Sequence, residues 1–262
     1  GTLLDTIEDL ANSVNHALSV YHFPIHPIEA YRFFVGNGVN KLLERALPED
    51  KKHPDFVSML KVEFIKHYFA HSEEFTKPYP GISDLISKLH NDGFQLAVAS
   101  NKVHAATVEL VHRFFPDIEF SMVLGQREGF PVKPNPAILD EIIANSEVSK
   151  DEVLYVGDSG VDAATAYNAK VDFVGVLWGF RPRKELEEVG ATVFVENTEL
   201  HRNYHGKIKK NTYNNMTTKV LMTICVSMGL SLRITEKLFD KSNNKLDYYT
   251  DPDKTYIHIM ET

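Results

Sequence analysis

After Pro78-Tyr79-Pro80-Gly81 the sequence alternates short apolar, β-rich runs with helical stretches, and this pattern restricts the fold more than any other feature. The apolar runs are Phe94–Ala99, Ser121–Leu124, Val153–Gly157, Asp172–Val176 and Ala191–Val195. Helical periodicity is read at Ile82–Asn91, Ala105–Phe114, Ala137–Ser146, Asp162–Ala169 and Arg183–Val189. Such alternation predicts an α/β fold, a Rossmann-like parallel sheet with helices on both faces. In sheets of this kind the active site lies beyond the carboxyl ends of the strands. The polar residues that close each strand are therefore the candidates for chemistry.

The segment before this region reads differently. Leu10, Val14 and Leu18, and further on Leu43 and Leu47, recur at four-residue spacing, continued by Phe56, Met59, Leu60, Phe64 and Tyr68. Gly36-Asn37-Gly38, Pro48 and Pro54 interrupt this helical block. Residues 205–262 carry nine Lys/Arg against six Asp/Glu, whereas the chain as a whole has a formal charge of −8. Composition thus breaks at a polar, basic stretch around His205–Asn211. The expected organisation is an α/β core from 1–9 and 78–200, a helical block at 10–77, a basic linker at 201–215 and a small helical module at 216–262. In that tail Val220, Leu221, Ile224 and Met228 form one apolar face and Leu232, Ile234, Leu238 and Phe239 another. It reads as an amphipathic helix pair that packs on something, such as a protein partner, or as a helix–turn–helix-shaped unit. Its small net charge argues against DNA.

The acidic balance of the whole chain argues against a nucleic-acid footprint. No apolar stretch reaches the roughly 18 residues of a membrane span. No signal segment is visible at Gly1–Asp5. The single cysteine, Cys225, excludes a disulfide framework and a cysteine zinc site and suits a reducing, cytoplasmic setting. The twelve histidines show no metal-ligand spacing.

Three strand ends carry suggestive groups. Ser100 and Asn101 follow one apolar run; a hydroxyl and a carboxamide there suit a phosphate, or equally a helix cap. Lys133 lies in Val132-Lys133-Pro134-Asn135-Pro136, where two prolines stiffen the loop. It reads as a cation for a phosphoryl group or as a solvated turn lysine. Asp158 and Asp162 stand four apart after Val156-Gly157. They suit one direct and one supporting oxygen for Mg²⁺, or an N-cap with a first-turn acid.

In this order and spacing the sequence resembles the haloacid dehalogenase superfamily of phosphohydrolases, and within it the phosphoglycolate phosphatase group, from residue 1 to about 200. Gly1-Thr2-Leu3-Leu4-Asp5-Thr6 is similar to the second half of the first motif, Asp-x-Asp-Gly-Thr-Leu-x-Asp-Thr. Ser100-Asn101 resembles the second, Lys133-Pro134 the third, and Gly157-Asp158-Ser159 with Asp162 the fourth. Gly36-Asn37-Gly38-Val39 resembles a cap loop, and Val176–Arg181 the segment after the fourth motif.

The resemblance implies Mg²⁺-dependent hydrolysis of a small phosphorylated metabolite, 2-phosphoglycolate first, through an aspartyl-phosphate. Pyrophosphate, nucleotide monophosphates and sugar phosphates stay open as substrates. It implies phosphate contacts from Thr2, Ser100, Asn101 and Lys133. It also implies a metal contact from Asp158 supported by Asp162, and a mobile cap at 10–77. The Asp-x-Asp pair and the apolar strand before it are absent from the sequence, so the chain as written is expected to lack nucleophile and general acid and to be inactive by this route. About five buried strand residues at about 1.5–3 kcal/mol each amount to about 10 kcal/mol, comparable with a domain's whole stability. The expectation is therefore a sequence that starts late rather than a natural protein without that strand. The alternative function is a non-catalytic phosphate-binding or regulatory protein whose tail meets a partner.

Overall fold

The computed structural model describes residues 1–196. The expected linker at 201–215, the tail module at 216–262 and Cys225 lie outside the described residues.

Strand β1 (Leu4–Asp5) pairs antiparallel with β2 (Lys77–Pro78), Leu4 opposite Pro78 and Asp5 opposite Lys77. The chain thus leaves for the helical block and returns from it side by side. Between the two crossings run α1 (Ile7–Val20), α2 (Tyr31–Phe34), α3 (Val39–Ala46) and α4 (Pro54–His71). Helix α1 buries Ile7, Leu10, Ala11, Val14, Ala17 and Leu18, the stripe that a 3.6-residue period produces. These side chains pack with Tyr31, Leu43, Leu60 and Phe64 into one apolar cluster. Pro54 stands in the first turn of α4, where its missing N–H removes no helical bond. The carboxylate of Asp9, on α1, fixes the returning chain: it accepts from the Phe75 and Thr76 amides and from the Thr76 hydroxyl.

The α/β part then follows: α5 (Ile82–Asn91), β3 (Ala97–Val103), α6 (His104–Phe114), β4 (Met122–Gln126), α7 (Ala137–Ala144), β5 (Leu154–Gly157), α8 (Gly160–Ala169), β6 (Asp172–Val176), α9 (Arg183–Glu188) and β7 (Phe194–Val195). The parallel sheet predicted from the sequence is present, in two pieces, β3–β4 and β5–β6–β7. Alternate residues of each strand enter different clusters, as the two-residue period requires. Val98 and Val123 pack with α5 and α6 residues, while Leu124 and Phe173 pack with α7 and α8 residues. Ala97 and Val98 of one piece and Leu154 and Val156 of the other line a single cavity of about 800 Å³.

Several boundaries differ from expectation. Strand β3 begins at Ala97 rather than Phe94 and runs through Ser100 and Asn101 to Val103. These two residues therefore lie on the strand, and the helix that follows begins only at His104 with no side-chain cap. The last strand shortens to Phe194–Val195, since only Gly175 and Val176 of β6 lie opposite it. Among the described residues no helix is long and apolar enough to cross a membrane.

Asp9→Ala leaves three donors without their acceptor, at about 1–3 kcal/mol for each one that stays buried. The expected outcome is a loss of about 3 kcal/mol in urea unfolding, with proteolysis appearing first in residues 72–77.

Candidate active site

The carboxyl ends of β3 and β5 and the loops after β4 and β6 meet on one side of the sheet, as parallel strands dictate. Lys133 lies at the centre. Its ammonium donates to the Ala99 carbonyl at 3.1 Å, the Tyr155 hydroxyl at 2.9 Å and Asp162 Oδ1 at 2.7 Å. Ala99 belongs to one piece of the sheet and Tyr155 to the other, so this side chain joins them. Lys133 and Asp162 are each less than a tenth exposed.

Burial alone would push the Lys133 ammonium down, but Asp162 and Tyr155 hold it well above its ordinary value. Burial would likewise raise Asp162, whose carboxyl is instead kept below the usual range by Lys133, Ser159 and Tyr155. The Tyr155 phenol is pushed up, by burial first. Asp162 Oδ2 accepts from the Ser159 hydroxyl at 2.6 Å, and Ser159 Oγ accepts from the Asp162 amide, capping α8. Gly157 is required here by close approach: a Cβ on it would stand 2.3 Å from that of Asp162.

Asn101 determines where the Lys133 backbone lies. Its Oδ1 accepts from the Lys133 amide, while its Nδ2 donates to the Lys133 carbonyl and to Gly36 in the helical block. The carboxamide is thus engaged with backbone on every side. Ser100 Oγ accepts from the Lys102 amide and retains its own proton for a ligand.

Asp158 sits apart from the Lys133–Asp162 pair. Its Oδ1 accepts from the Thr2 hydroxyl at 3.0 Å and its Oδ2 from the Phe180 amide at 2.9 Å. Gly179 backs it, and a Cβ there would stand 2.2 Å from that of Asp158. The Trp178 indole donates to the Thr2 carbonyl and holds that segment against the strand ends. The candidates Thr2, Ser100, Lys133, Asp158 and Asp162 all line the cavity, and so does Asn101.

The sequence reading singled out no role for Tyr155, Lys102 or Arg181. Tyr155 lies two residues before Gly157 on the same strand, an alternation that signals a shared face. Arg181 Nη2 donates to the carbonyls of Phe33 and Val35, joining the loop after β6 to the helical block.

This arrangement of carboxylates, lysine and hydroxyl at adjacent parallel-strand ends is accompanied by a family match. The haloacid dehalogenase-like hydrolase family model covers residues 1–176. The chain belongs to that family. It is 32% identical over 186 residues to the phosphoglycolate phosphatase of Mesorhizobium japonicum, covering 70% of this chain and 82% of the relative. The phosphoglycolate phosphatase of Cereibacter sphaeroides is 33% identical over 183 residues, covering 69% and 83%. A crystal structure from Lactobacillus delbrueckii subsp. bulgaricus, provisionally assigned as a phosphoglycolate phosphatase, superposes with a TM-score of 0.71 at 32% identity, over 75% of this chain and 91% of that one. This haloacid dehalogenase-like hydrolase is therefore of the phosphatase type, like phosphoglycolate phosphatases.

Breaking a buried ion pair leaves one charge uncompensated, at about 3–5 kcal/mol. Asp162→Ala is therefore expected to lower the melting temperature by about 10 °C, taking about 2–4 °C per kcal/mol for a domain of this size. The pH dependence follows from the two shifts. The depressed Asp162 contributes fully above its ordinary 3.8, and its contribution is lost as pH falls through the folded value. The raised Lys133 contributes fully below 10.5, and its contribution is lost as pH rises through the folded value. Acid titration of stability below pH 3.8 should be steeper in the wild type than in Asp162→Asn, and equal slopes would refute the assignment.

Proposed function

We propose that this site binds a small phosphomonoester, with 2-phosphoglycolate the foremost candidate, together with Mg²⁺. The observation that carries the reading is the buried Lys133 ammonium, fixed by Asp162 and Tyr155 at the strand ends beside the separate carboxylate of Asp158. The curated relatives named phosphoglycolate phosphatase support the choice of substrate.

The donor set fits Mg²⁺. This ion keeps several waters and takes one or two carboxylates plus substrate phosphate rather than a full protein cage. Among the described residues no cluster of three or more His, Cys, Asp or Glu side chains could hold a metal. Asp158 would be the direct ligand, since each of its oxygens accepts a single hydrogen bond and has a lone pair to spare. Asp162 is engaged with Lys133, Tyr155 and Ser159, and would act through that network. The ion would supply neutralisation of phosphoryl charge.

The protein's own groups do the rest. Lys133 brings a fixed positive charge to the phosphoryl oxygens. The Ser100 hydroxyl donates a proton to one of them. Thr2 orients Asp158 through its hydroxyl. Asn101 holds the Lys133 backbone in register and acts on the ligand through it. The helical block at 10–77, tied down by Asn101 and Arg181, serves as the cap that excludes water. A cytoplasmic setting, which the lone Cys225 favours, goes with this reading.

With Asp158 and Asp162 in these roles, the site is expected to bind orthophosphate together with Mg²⁺. Calorimetric titration with orthophosphate should show binding that strengthens at least tenfold with Mg²⁺, an enhancement lost in Asp158→Asn. Binding indifferent to both changes would sink the metal assignment.

A further inference from the structure

One half-buried cation near the site has no assigned task. Lys102 follows Ser100 and Asn101 on β3, and its amide donates to Ser100 Oγ. Its ammonium donates to the Tyr68 hydroxyl of α4 at 2.5 Å and stands 4.5 Å from the centre of that ring. An ammonium carries three donors, and among the described residues this one forms no ion pair with a carboxylate. The Asp9 carboxylate acts on it only at longer range, its oxygens being engaged by Phe75 and Thr76. Lys102 lines the cavity that Ser100, Lys133 and Asp158 also line.

A cation taken out of water without a counter-ion is disfavoured. Burial pushes Lys102 down to about 7, partly offset by Asp9, so its proton is readily held or lost near neutrality. Such a group lacks an anion, and one delivered by a ligand would restore the charged form. Lys133 already faces the phosphoryl position with a carboxylate partner of its own. Lys102 has none, and it lies at the seam between α4 and the end of β3.

We propose that Lys102 recognises a second anionic group, a carboxylate close to the phosphoester, and so selects small acidic phosphomonoesters over neutral ones. This rests on the phosphate-site reading above and names the residue that would choose within that substrate class. The alternative, a lysine that only packs helix α4 against β3, predicts no ligand selectivity.

The test compares 2-phosphoglycolate with ethyl phosphate, which has the ester and no carboxylate, by calorimetric titration of the full chain in Mg²⁺. The wild type should bind 2-phosphoglycolate about tenfold more tightly. In Lys102→Met that preference should fall to about twofold or less while ethyl phosphate affinity stays within twofold. Lys102→Gln should behave alike, and serves if the methionine variant melts early. Tyr68→Phe, which keeps the ammonium, should retain the preference. Equal weakening of both ligands, or an undiminished preference in a folded Lys102 variant, would overturn the proposal, as would a wild type with no preference. Failure of ethyl phosphate to bind the wild type at all would instead remove the phosphate site itself, and the proposal with it.

Discussion

The ion pair of Lys133 and Asp162 is the contact on which the rest of this structure depends. Taking two charges out of water is expensive, and their attraction repays it only where the remaining donors and acceptors are also satisfied. Here they are. The lysine has three acceptors for three protons, and the aspartate takes bonds from Lys133, Tyr155 and Ser159. Because the acceptors come from β3, β5 and the start of α8, the pair can form only when all three elements are in place. A nonpolar substitute of equal volume can pack as well, but it would not specify which strand ends meet.

That specificity spreads outward through Asn101. The side chain reads both backbone groups of Lys133 and, with its second amide proton, a carbonyl of the helical block. Arg181 makes a second bond of the same kind to the carbonyl of Val35. Both ties use backbone acceptors in the short segment before and within Gly36-Asn37-Gly38, where two glycines hold positive φ. The antiparallel pair Leu4–Pro78 fixes the other end of the block. The block therefore bears on the strand ends at two separate places, one of them through a residue that also positions the central lysine.

Much of this was legible in the sequence because it is periodic or local. The α1 stripe, the helix at Ile82–Asn91 and the apolar strands announce themselves through spacing alone, and Ser159 with Asp162 is a contact within one turn. What sequence could not show is pairing across long separations. Asn101 meets Lys133 across 32 residues and Gly36 across 65. Its carboxamide suited a ligand or a cap when read alone, and only the fold shows it engaged with backbone. Tyr155 lay inside an apolar run, where an aromatic residue reads as core. Its hydroxyl becomes informative only once Lys133 arrives from another loop. Strand β3 extends past the apolar run because, after a register shift beyond Ala99, backbone pairing resumes at Val103 opposite Gln126.

The charges around the site also explain why a divalent ion and a phosphate would depend on one another. Lys133 and Asp162 cancel. Asp158 and Lys102 carry opposite charges without forming an ion pair. With Lys102 protonated the sum over these side chains is zero, so a dianion arriving alone meets no net attractive field. A divalent cation at Asp158 brings the sum to the charge that a phosphomonoester dianion neutralises. The reverse also holds, because one carboxylate beside a protonated lysine is a weak site for a divalent cation until phosphate oxygens complete it. Linkage requires that whatever factor the ion contributes to phosphate affinity, phosphate returns to the ion. A neutral, fully hydrogen-bonded pair at the centre and two separate opposite charges at its flanks would thus, on the proposed reading, make a site in which each ligand holds the other.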